Sequence, residues 1–231
     1  MSTHAISKRS FRVLSGLSSV VGVLMLALSF AINPGPPHNA SYAELVKFGQ
    51  SNFGTILWGA WLQAVSPVLI VLFAFALVHL AGATQRLAGW MTLFGATVLM
   101  TTSLIEITFY ISALFSDPPV MPTASLQLIH AVQHLFFFVA APALFFPLGI
   151  VLLDSSILPR VFAYLALVLA TGFEALGLIF LYRLTLPDPV TGVAFVQGIW
   201  WLAAGVTLMF RSGAKPLDAG TNHQAHPQIW A

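Results

Sequence analysis

Six long apolar runs, each nearly free of charge, fix what this chain can fold into. They cover roughly Phe11–Ile32, Phe53–Gly82, Leu87–Phe115, Leu126–Leu153, Leu158–Leu181 and Val190–Phe210. A helix needs about 20 mostly apolar residues to cross the ~30 Å hydrocarbon core of a bilayer, and every run meets that length. In hydrocarbon each backbone N–H and C=O must be satisfied inside its own element, which leaves helices for runs of this kind. The expected fold is therefore all-α: a polytopic domain of six transmembrane helices over residues 1–212. A polar tail over residues 213–231, with His223 and His226, reads as disordered. The six runs use most of the 231 residues and leave no room for a soluble domain.

Charge decides orientation. Only 7% of the chain is charged, against about 25% in a soluble globular protein. The net charge of +2 rests on nine basic residues, several of them beside helix ends, so it reports membrane topology rather than a nucleic-acid partner. With the N-terminus inside, Lys8, Arg9, Arg12, Arg86, Arg160, Arg211 and Lys215 fall on the inner side, and only Lys47 and Arg183 on the outer. That bias places both termini in the cytoplasm. The first run has a basic lead and a small-x-small triplet, Ser29-Phe30-Ala31. Its apolar stretch of about 20 residues exceeds the 7–15 of a signal peptide, so it reads as an uncleaved helix. Cysteine is absent, which excludes disulfides and thiolate sites.

Breaks between runs are carried by Asn33-Pro34-Gly35-Pro36-Pro37, by Asp117-Pro118-Pro119 with Pro122, and by Pro187-Asp188-Pro189. Tyr42–Phe48 reads as a short amphipathic helix at the outer surface. Asn39-Ala40-Ser41 matches a glycosylation acceptor, which in a chain of bacterial composition is a chance match. Ala83–Arg86 and Asp154–Leu158 are tight inner connections, so the second and third runs, and the fourth and fifth, form antiparallel hairpins. Pro67, Pro142 and Pro147 lie inside runs, where each removes a backbone donor and can open space at depth.

Two acids stand deep in apolar runs. Intramembrane carboxyls are costly, face a bundle interior and mark a site by default. From a rise of 1.5 Å per residue, Glu106 and Glu174 both lie roughly 13 Å below the outer surface. The same arithmetic puts His130 and His134 at about 8 and 14 Å, and Gln63 and Gln197 at about 15 and 10 Å. His130 and His134 are four apart and share one face, as do Thr102, Glu106 and Tyr110. The expectation is one polar layer in the outer half of the bundle, walled by Trp61 and Trp200.

Three chemistries compete for that layer. Two imidazoles at i and i+4 with two carboxylates form a ligand set for zinc or non-haem iron: His130, His134, Glu106 and Glu174. Without metal, Glu106 or Glu174 serves as a catalytic proton donor on a lipid-like substrate, with Trp61, Gln63, Tyr110, Gln197 and Trp200 lining a pocket for an apolar small molecule. In the third reading the layer only fixes helix packing in a non-catalytic subunit, with a membrane partner or a second copy. Interior Lys and Arg are absent, and no inner polar layer except around His79 matches the outer one, so transport ranks below an outward-facing site.

The segment Leu158-Pro159-Arg160-Val161-Phe162-Ala163-Tyr164-Leu165-Ala166-Leu167 resembles one common in uncharacterised six-helix bacterial inner-membrane proteins. That resemblance implies fold and location and carries no activity. The acid-and-aromatic interior also looks like that of integral-membrane isomerases and terpene cyclases, in which a buried acid protonates an apolar substrate.

Overall fold

A computed structural model describes residues 7–33, 40–115, 123–180, 182 and 188–211. The Asn39 acceptor, most of the proline-rich breaks, Arg183, Lys215 and the tail lie outside the described residues. The described residues are helical, with no strand among them, and six helices are long and apolar enough to cross a membrane. They are α1 (Lys8–Ile32), α2 (Tyr42–Leu80), α3 (Leu87–Leu114), a fourth span made of α4 (Thr123–Leu135), a π-helical turn (Phe136–Ala140) and α5 (Ala141–Leu153), then α6 (Arg160–Ile179) and α7 (Asp188–Phe210).

Local chemistry explains where the helices start. Ser7 caps α1 by accepting from the Ser10 N–H. Ser41 and Glu44 form a reciprocal capping box at the start of α2, the arrangement that satisfies two orphan N–H groups at once. That box removes the separate surface helix expected over Tyr42–Phe48: these residues are the first turns of α2, which continues through Pro67 for 39 residues. At 1.5 Å per residue α2 is about 58 Å long, so its first turns project beyond a ~30 Å apolar core. Gly82, with φ of 64°, makes the tight reversal into α3, a conformation that glycine adopts without a Cβ penalty.

Packing follows chain order and then closes. α1 lies on α2, α2 on α3, α3 on α4 and α5, α5 on α6, α6 on α7, and α7 returns to α1. One end of the bundle, the termini end, holds the start of α1, the α2–α3 and α5–α6 turns and the end of α7. Close crossings are made by residues without side-chain bulk. A Cβ on Gly95 would sit 2.2 Å from the Ala143 carbonyl oxygen, and one on Gly16 would sit 2.5 Å from that of Gly205. Helices in an apolar solvent associate through such close backbone approach rather than through a hydrophobic driving force.

The centre of the termini half is filled by aromatic rings. Phe73 meets Trp201 edge-on at 6.0 Å, Phe145 meets Trp200 at 5.2 Å and Trp201 at 5.1 Å, and the two tryptophans meet at 4.8 Å. Trp200 Nε1 donates to the Phe162 carbonyl of α6 at 2.9 Å, and Ser19 Oγ of α1 donates to the Trp201 carbonyl at 2.8 Å. At the rim of this end Arg86 pairs with Asp154, both about half exposed.

Three consequences are measurable in detergent by thermal unfolding. Gly95→Leu must push α3 away from α5 and is expected to cost roughly 1–3 kcal/mol, the usual range for overpacking. Gly172→Ala, which meets nothing within 4 Å, is expected to be neutral or slightly stabilising. Asp154→Asn removes a half-exposed ion pair and is expected to cost no more than about 1 kcal/mol.

Candidate functional site

Among the described residues Glu106 is the buried acid, 7% exposed on the face of α3 that turns toward α4. Its partner is an amide: Gln133 Nε2 donates to Glu106 Oε1 at 2.8 Å. Gln133 was legible only as a polar residue beside His134. Its depth equals that of Glu106, and this was the available signal.

The register that makes this contact is set lower in the bundle. Gly95 touches Ala143 and Leu144, and the same antiparallel pairing carried outward brings Glu106 level with Gln133. Tyr110, one turn farther from the termini end, packs with Phe109 on the buried Ala113 and Ile129. Glu106, Gln133 and Tyr110 therefore belong to one α3–α4 seam.

The two histidines lie on the same stretch of α4, both half-buried. His134 Nε2 is enclosed and has no hydrogen-bond partner among the described residues. The ring of Phe138 lies 5.2 Å from the His134 ring, tilted by 40°. Immediately after His134 the helix passes through the π turn, in which the Ala141 N–H reaches back to the Phe136 carbonyl. Such one-turn widenings re-aim the residues on either side and recur at functional sites.

The rest of the expected layer does not assemble. Glu174 is exposed on α6 and makes no ion pair or hydrogen bond among the described residues. The cause is a difference in level. Gly177 packs on Phe138, and Phe137 stacks on Phe173 at 5.6 Å. α6 thus ends at Ile179 opposite the π turn, while the histidines of α4 continue outward beyond it. Measuring depth from helix ends presumes that the ends are level, and here they are not.

Gln197 is buried, but in the termini half, one turn from Trp201. Helix rise from the Gly95–Ala143 and Phe145–Trp201 contacts puts it about 10 Å inward of Glu106. Trp200 is likewise part of the aromatic core and no wall of an outer pocket. Trp61 is exposed and packs edge-on against exposed Trp58 at 5.9 Å. Gln63 is half-buried on α2 and makes no hydrogen bond to Glu106, whose side-chain partner among the described residues is Gln133. The four-residue metal set is also corrected: among the described residues no three His, Asp or Glu side chains come together as ligands. The carboxylate that would complete the set from α6 points elsewhere.

Glu106 and Gln133 join α3 to α4 through a hydrogen bond in apolar surroundings, and the enclosed His134 Nε2 stands on the next residue of α4. Removing one member of the bonded pair leaves the other buried and unsatisfied. Gln133→Leu is expected to cost about 1–3 kcal/mol, whereas Glu106→Leu combined with Gln133→Leu recovers most of that loss. A double-mutant cycle of thermal midpoints in detergent reads the coupling. The chain matches no protein-family model, no curated protein and no solved structure, so its site is interpreted from its own chemistry.

Proposed function

We propose that the chain is a multi-pass protein of a bacterial inner membrane, with both termini cytoplasmic, that binds an apolar small molecule in the outer half of its bundle. The six apolar helices support the membrane setting, and the seven-to-two distribution of basic residues supports the orientation. The resemblance of the Leu158–Leu167 segment to bacterial inner-membrane proteins supports the location. The binding site is the α3–α4 seam, and its polar anchor is His134.

The observation that carries this reading is the enclosed, unpartnered His134 Nε2. An imidazole nitrogen left in that state costs on the order of 1–3 kcal/mol, and native folds rarely tolerate such a group without use for it. A ligand with one hydroxyl or carbonyl group and an apolar body satisfies the nitrogen and meets the ring of Phe138. Glu106, held by Gln133, lies on the neighbouring helix α3. If the site is catalytic, Glu106 is the proton donor and His134 the base.

A purely structural reading is favoured by one observation, the Glu106–Gln133 hydrogen bond, which already joins α3 to α4 without any ligand. The two are separated by replacing His134 with a ring of similar shape that lacks nitrogen. Purified protein is extracted with organic solvent, and the extract is compared by mass spectrometry between wild type and His134→Phe. On the binding reading a co-purifying molecule drops at least tenfold in the variant, while the thermal midpoint of delipidated protein holds or rises. On the structural reading the extracts are identical, and only Gln133→Leu changes stability.

A further inference from the structure

A second polar site lies at the opposite, termini end of the bundle, between α1 and α2. A cavity of about 400 Å³ there is lined by Lys8, Phe11, Arg12, His79 and Leu80. Its lining brings three nitrogenous side chains from two helices to one opening and includes no acid. Arg12 Nε is enclosed without a hydrogen-bond partner among the described residues. On the other flank of α1, Arg211 at the end of α7 also keeps an enclosed nitrogen, Nη1, without a partner. The Arg86–Asp154 pair uses the one described acid of this end, so nothing described offsets the cations around the cavity.

We propose that this cavity holds the phosphate group of an anionic phospholipid. Arg12 presents a planar array of donors suited to phosphate, and Lys8 adds a mobile point charge. The His79 ring meets Phe11 edge-on at 5.6 Å, an aromatic contact that turns it toward the opening. Basic pockets between membrane helices on the cytoplasmic side are the chemistry that recognises acidic headgroups.

The choice of lipid over free phosphate rests on what lies beside the cavity. Residues four, seven and eleven before His79 on α2 are Phe75, Leu72 and Val68, all exposed. These positions fall on the same side of the helix as His79. An apolar stripe thus leads from the headgroup cavity along the bundle, as an acyl chain would run. Free phosphate has no use for that stripe or for the Phe11 and Leu80 walls. The assignment requires membrane insertion but is independent of the His134 site at the other end.

The test uses full-length, delipidated protein in a neutral maltoside. It is titrated with phosphatidylglycerol, with phosphatidylcholine of the same chains, and with sodium phosphate. Bound lipid is counted by native mass spectrometry, and thermal midpoints are recorded in parallel. Phosphatidylglycerol is expected to bind preferentially and to raise the midpoint. Lys8→Gln and His79→Gln, both at exposed positions, should together weaken that retention roughly tenfold, the scale for losing basic contacts to an acidic headgroup. Arg12→Gln should do the same, and Lys47→Gln at the far end should leave it unchanged. Equal retention of the two lipids, or wild-type retention by the Lys8/His79 variant, overturns the proposal. Full stabilisation by sodium phosphate alone overturns the lipid assignment and leaves a free-anion site.

Discussion

Two adjacent tryptophans are buried in the middle of the helix bundle, and each is tied to a neighbouring helix by a hydrogen bond. Trp200 gives its ring N–H to a carbonyl of α6, and Trp201 lends its own carbonyl to the Ser19 hydroxyl of α1. Each bond ties α7 to one flank, and α7 is the helix that closes the ring of packed elements. With Phe73 and Phe145 the tryptophans occupy the centre of the termini half. The Glu106–Gln133 bond lies in the far half, where α4 stands beyond the end of α6.

That division explains which parts of the molecule could be read from its residues. Helix number and type follow from run length alone, because hydrocarbon-length apolar segments admit few alternatives. Glu106 was identified by the same logic, since a carboxyl in such a run needs an interior partner. The identity of that partner was not legible. Facing on α4 depends on the π turn, and nothing in Phe136-Phe137-Phe138-Val139-Ala140 announces a five-residue turn.

Glu174 and the tryptophans show a second limit. α2, α3 and α7 are apolar nearly all round, so their sequence carries little information about which side is buried. Trp61 and Trp200 read alike in such runs. One lies on the outside and the other in the core. Glu174 failed for a simpler reason. α6 ends at Ile179, five residues after Glu174 rather than about nine, and stops well short of the level reached by α4.

The π turn has a broader meaning for how this fold can vary. One residue added to a helix rotates everything beyond it by about 100°, so the turn acts as a phase shifter between the two halves of the fourth span. α5 keeps Leu144 and Leu148 on the core while α4 independently aims Gln133 at α3. Losing a single residue from the Phe136–Ala140 stretch would leave the lower half seated and swing the upper half around its own axis, carrying Gln133 and both imidazoles to a new azimuth. Substitutions there are therefore tolerable in a way that length changes are not.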